Sequence, residues 1–126
     1  MTETPTPVTA ADLARTLYAA KREVDAALAE YDRAIREDAE ADRAARVAKA
    51  SAYLAASGPV AERQAHVDQT TADLQHRARL AEGLKRSASS AVESRRQWLS
   101  ALQSLASLQK AEAALARWEP SEVQTA

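Results

Sequence analysis

Between Pro7 and Gly58 the chain contains neither glycine nor proline. An alanine-rich stretch of that length without either breaker leaves one regular option. Alanine is the best helix former, and glycine and proline are the two residues that most disfavour a helix interior. Thr9 followed by Asp12 reads as a capping box with aspartate in place of the usual glutamate, so the helix begins near residue 10. Leu13, Leu17, Val24, Leu28, Tyr31 and Ile35 then recur at helical spacing as one apolar stripe. At about 1.5 Å per residue, a helix over residues 10–56 is roughly 70 Å long, far more than a compact domain uses.

Ser57-Gly58-Pro59 is the clear break. Glycine suits the left-handed position that ends a helix, and proline suits the first turn of the next. Glu62 then stands near the new N-terminus, where the helix dipole favours an acid. The spacing predicts a second helix over about 60–118, closed by Pro120. Val67, Leu74, Ala81, Ala88 and Leu102 fall on a seven-residue period, joined by Ala78, Leu84 and Ala91, which reads as a coiled-coil-like seam. Gly83 and Ser87-Ala88-Ser89-Ser90 are weak helix formers within it, so a kink over 83–90 stays open. The expected fold is all-α: an elongated, oligomeric, coiled-coil-like helical hairpin. It forms a single domain over 10–118, with disordered ends at 1–9 and 119–126.

The apolar fraction of 46% overstates the core, because alanine supplies much of it and the chain has no Phe, two Trp and three Tyr. Large side chains carry most of the free energy of burial, roughly 1.5–3 kcal/mol each. Trp98, Leu99, Leu102, Leu105, Leu108 and Leu115 make the C-terminal third apolar nearly all round, wider than one partner helix covers. Those six residues are therefore expected to mediate homo-oligomerisation.

Chemistry is sparse. There is no cysteine, which excludes disulfides and thiolate metal sites. His66 and His76 fall on different helix faces, and no metal-binding, phosphate-loop or nucleophile motif occurs. The carboxylates are scattered along helices. No catalytic residue, metal or cofactor is expected. No run approaches the ~18 apolar residues of a membrane span, and the first residues do not read as a secretory signal. A cytoplasmic protein with no membrane contact is expected.

Charge is polarised along the chain. Residues 1–42 carry 5 Lys/Arg against 10 Asp/Glu, a net of −5. Residues 43–110 carry 11 against 5, a net of +6, and residues 111–126 carry 1 against 3, a net of −2. Continuing the first stripe past Ile35 reaches Asp42, Arg46 and Lys49, with Asp38 at its edge. A hairpin folded about Gly58 places Asp38 and Asp42 opposite Arg77, which predicts an ion pair that fixes register. Apart from Asp68 and Asp73, the matching stretch of the second helix offers Arg46 and Lys49 no acid, so they are candidates for an outside anion. With Arg79, Lys85, Arg86 and Arg96 they make a surface for the backbone of single-stranded DNA, without sequence preference and weakened by salt.

Three segments then acquire a common meaning. Ala52-Tyr53-Leu54-Ala55-Ala56-Ser57-Gly58 ends the first helix in an aromatic and a small turn. Glu62-Arg63-Gln64-Ala65-His66-Val67-Asp68 opens the second region. Ser94-Arg95-Arg96 leads into Leu99-Ser100-Ala101-Leu102-Gln103-Ser104-Leu105. Over roughly residues 15–112 this layout resembles the UvsY-like recombination mediators of phages. The resemblance implies a non-enzymatic, ring-like homo-oligomer that binds single-stranded DNA. It also implies displacement of the single-strand-binding protein and loading of the strand-exchange recombinase, in a bacterial host's cytoplasm. It further implies that basic residues in the last turns before the glycine turn touch DNA. Arg46 and Lys49 occupy those turns, and Ser51 stands where a second basic residue is often found. The alternative is a structural or adaptor coiled coil that binds a protein partner and no nucleic acid.

Overall fold

In a computed structural model the described residues are 9–122, with side chains described through Trp118. Of the disordered ends expected at 1–9 and 119–126, residues 1–8 and 123–126 lie outside the described residues, whereas 119–122 are helical. Three helices follow one another: α1 Ala10–Ala55, α2 Val60–Thr70 and α3 Ala72–Glu122. No strand occurs among the described residues. The fold is all-α.

The start of α1 is the capping box that the sequence implied. The Asp12 amide donates to the Thr9 hydroxyl at 3.1 Å, and the Thr9 amide donates to the Asp12 carboxylate at 3.4 Å. Each satisfies a backbone donor that a helix start otherwise leaves open. The Thr9 hydroxyl also donates to Asp12, and Arg15 pairs with the same carboxylate. Hydrogen bonding from Thr9 and then Arg15 holds the Asp12 carboxyl below its ordinary pKa. At the other end Gly58 takes φ = 107°, a backbone state that side chains disfavour. A Cβ there would also meet Glu62 Oε2 at 2.9 Å.

The second helix breaks at Thr71, not within 83–90. Thr70 and Thr71 both turn their hydroxyls back onto the carbonyl four residues earlier, at 2.7 Å each, and such back-bonding bends helices. Thr71 sits at φ −105°, ψ 8°, with its amide on the same Val67 carbonyl at 3.0 Å. It is 2% exposed, and Gln75 donates to its hydroxyl at 2.8 Å. The segment 83–90 stays helical because Ala81, Lys85, Ala88 and Val92 all turn to the packed side. Pro120 does not close the helix, since α3 continues to Glu122.

Gly83 is exposed, and a Cβ there would have nothing within 4 Å. Gly83→Ala is therefore expected to stabilise the chain by about 0.5–1 kcal/mol. Urea unfolding followed by circular dichroism checks this. An unchanged or lower midpoint would mean that the residue has a role the helix geometry does not explain.

By their contacts the described residues group into two units. Unit 1 joins the chain up to Ala26 with that from Glu93 onward, and unit 2 is Ala27–Val92. In unit 1 the first turns of α1 run antiparallel to the last part of α3. Leu13, Ala20 and Leu102 form its core, flanked by half-buried Leu17, Leu99 and Ala106, and Arg95 reaches Glu23 at 3.9 Å. In unit 2 the rest of α1 folds back through the Gly58 turn onto α2 and the first half of α3. Ala34, Ala45 and Ala52 are buried from one side, and Val67, Thr71, Ala81 and Val92 from the other. Arg63 lies over the Tyr53 ring at 5.6 Å, although its buried Nε has no hydrogen-bond partner.

The seam of α1 corrects the stripe read from its large residues. Stepping alternately by four and three from Leu13 gives Leu17, Ala20, Val24, Ala27, Tyr31, Ala34, Asp38, Ala41, Ala45, Ala48 and Ala52, none of them exposed. Past Tyr31 the seam is carried by alanine, which leaves no trace among the bulky residues. Ile35 and Tyr53 are 39% exposed, and Asp42, Arg46 and Lys49 lie outside the seam on solvent-facing positions. The same steps along α2 and α3 from Val67 give Thr71, Leu74, Ala78, Ala81, Lys85, Ala88 and Val92, again none exposed. A seam so rich in alanine allows close helix approach but supplies few bulky knobs to fix alignment.

Candidate nucleic-acid interface

Asp38 and Lys85 are the charged residues of the two seams in unit 2, and they meet. Lys85 Nζ donates to Asp38 Oδ2 at 2.8 Å, with the two side chains 35% and 20% exposed. The hydrogen bond to Asp38, together with that carboxylate's charge, raises the Lys85 ammonium above its ordinary pKa. Its share of stability is thus fully present below the usual lysine value and is lost only as pH rises through the raised one. The ion pair expected between Asp38, Asp42 and Arg77 does not form. Arg77 is exposed, and the partner of Asp38 lies about two helical turns further along α3. Arg77 precedes the seam position Ala78 by one residue, so it faces solvent and not Asp38 or Asp42.

Beside this pair lies a depression of about 460 Å³. Its floor is Ala45 and Ala78, and its rim carries Asp38, Asp42, Arg46 and Lys49 from α1 and Gln75, Arg79, Glu82 and Lys85 from α3. The small floor residues draw the backbones together, so long side chains from both helices rise around one shallow space. Four cations face three acids there, a net of +1.

The six cations expected on DNA are distributed unevenly. Arg46, Lys49, Arg79 and Lys85 share the depression, whereas Arg86 is not part of its lining and Arg96 belongs to unit 1. Arg46 pairs with Asp42 at 3.0 Å and Arg86 with Glu82 at 2.6 Å, both arginines more than three-quarters exposed. Exposed pairs one turn apart on a helix are weak and exchange readily with an outside anion. Among the described residues Lys49 and Arg79 make no ion pair. No aromatic residue lines the depression, so it offers cations for phosphates and no platform for bases.

The residues expected to mediate self-association also divide. Leu102 is buried and Leu99 is half-buried in the core of unit 1, so intramolecular packing against α1 already uses them. Trp98, Leu105, Leu108 and Leu115 stay 41–63% exposed. His66 and His76 are exposed, and among the described residues no group of three or more His, Cys, Asp or Glu is placed to hold a metal ion. Among the same residues no helix is long and apolar enough to cross a membrane.

The Asp38–Lys85 pair was not foreseen from the sequence, though its signal is there. Counting by alternate fours and threes from Leu13, and separately from Val67, meets its first charged residue at Asp38 and at Lys85. No protein-family model, curated protein or solved structure matches the chain.

Proposed function

We propose that this chain is a non-catalytic, homo-oligomeric protein that binds the backbone of single-stranded DNA through the unit 2 depression. In line with its resemblance to the UvsY-like mediators, it displaces single-strand-binding protein and helps load a strand-exchange recombinase. It does so in the cytoplasm of a phage-infected bacterium. The observation that carries this reading is the pair Lys49 and Arg79. They come from different helices onto one rim, lack acidic partners among the described residues, and stand beside the exposed Arg46. A net of +1 at one depression is weak on its own. Repeated around an oligomer, it becomes a multivalent surface whose avidity exceeds any single site.

Fluorescence anisotropy with labelled single-stranded DNA across a salt series tests the proposal. Affinity is expected to fall as salt rises, with little dependence on base composition. Lys49→Ala/Arg79→Ala is expected to flatten the log–log salt slope by about 1.4 for each engaged protomer, at roughly 0.7 per lost phosphate contact. Both positions are exposed, so the fold should be unaffected. No binding at low salt, or binding indifferent to the double substitution, overturns the assignment. The adaptor reading keeps one observation in its favour, the exposed Trp98, Leu105, Leu108 and Leu115. Those side chains account for protein association without any nucleic acid.

A further inference from the structure

In unit 1, α3 carries two seams side by side. Leu99, Leu102 and Ala106 form the one packed on α1. One residue earlier at each step, Trp98, Ala101, Leu105, Leu108 and, one heptad beyond Leu108, Leu115 repeat the same alternation on a face left exposed among the described residues. Trp98 is 53% exposed, Leu105 41%, Leu108 55% and Leu115 63%. A second regular apolar seam on one helix is the pattern of a helix that packs on two partners at once. Scattered surface leucines need no explanation, but a row of them at heptad spacing does.

The charge pattern restricts what the second partner can be. From Gln97 to Gln109 there is no charged residue, in a chain that is 28% charged overall. The residues bordering the open seam on its free side, Gln97, Ser104 and Ala111, are uncharged too. Such a face has nothing with which to select an acidic or a basic helix. It fits a neutral heptad face, and this chain supplies one in every copy. In a two-fold contact each residue near the axis meets its own surroundings, so a charge there would face its like. The charge-free stretch avoids that conflict.

We infer that two copies pair through this seam with their α3 helices antiparallel. The direction follows from Glu112, which continues the seam between Leu108 and Leu115. Parallel helices would set Glu112 against the second copy's Glu112, and a Trp98–Trp98 layer next to an Ala101–Ala101 layer. Antiparallel helices set Trp98 against the second copy's Leu108, Ala101 against its Leu105 and Glu112 against its Ser94. Bulk is then even from layer to layer, and no like charges meet.

The inference rests on the homo-oligomeric part of the proposed function, yet it fails separately. The chain has no native cysteine, so Gln97→Cys and Ala111→Cys can be made singly, mixed and treated with a short bismaleimide. Cross-linked dimers are expected in the mixture, and not in either variant alone. Links within each variant alone would overturn the antiparallel pairing. Leu108→Glu is expected to weaken self-association at least thirtyfold by sedimentation equilibrium, the scale of a central interface residue. Helicity should be unchanged, because Leu108 is exposed within its own chain. A monomer at tens of micromolar for the unsubstituted chain overturns the pairing, even if salt-sensitive DNA binding survives and leaves Lys49 and Arg79 in place.

Discussion

Leu102→Ala is expected to lower the unfolding free energy by about 2–3 kcal/mol, the lower half of the range for truncating a buried leucine. Leu102 is 5% exposed and meets Leu13 and Ala20, with Leu17, Leu99 and Ala106 around them. It is the large side chain that α3 contributes to the buried core of unit 1. Its removal forfeits the transfer free energy of the lost methyl groups and leaves a gap beside an alanine, which cannot reach across to fill it. The estimate stays in the lower half because two packed helices with open flanks relax further than a fully enclosed core. Against a total stability of about 5–15 kcal/mol for a typical domain, the loss is large. Urea unfolding by circular dichroism measures it from the midpoint at constant slope. A change below about 0.5 kcal/mol, as for an ordinary surface substitution, would mean that Leu102 is not the centre of this core.

Ala20→Leu is the opposite perturbation at the same place, with an expected cost of about 1–3 kcal/mol from overpacking. Ala20 is 2% exposed, and its methyl group already touches the core leucines. A larger side chain either pushes α1 off α3 or adopts a poor rotamer. The same substitution on an exposed alanine such as Ala19 should cost close to nothing, since leucine and alanine are both good helix formers. The double substitution Ala20→Leu/Leu102→Ala restores total volume. It is expected to lie nearer to the parent chain than the sum of the two single losses, a non-additivity that neighbours sharing one space display. Strict additivity would show that the two side chains do not share that space. An Ala20→Leu chain as stable as its parent would mean that the helices of unit 1 are further apart than the structure places them.

The candidate site was only partly legible before the helices were packed. The types of residue were: Arg46, Lys49, Arg79 and Lys85 were singled out from charge and position, and all four line one depression. Their roles were not. Lys85 reads as one more cation on a basic stretch until the seam shows it paired with Asp38. Asp38, Asp42 and Glu82 reduce the depression to a net of +1, although the stretch 43–110 carries +6. Net charge along a sequence counts residues wherever they point, whereas an anion meets only those on one face.

What the sequence by itself determined is local. Helices follow from the missing glycine and proline, the cap at Thr9 from its hydroxyl and Asp12, and the turn from Gly58, whose positive φ glycine alone adopts without strain. These depend on neighbours a few residues away, so the order of residues contains them. Register, the bend at Thr71, and the division of the C-terminal leucines into buried and exposed were decided by packing. Between Ala27 and Ala52 the seam is nearly all alanine, and one alanine row matches another at many offsets. The Asp38–Lys85 pair and Arg63 over the Tyr53 ring mark the offset that forms, and each joins residues on different helices that helix propensity does not relate.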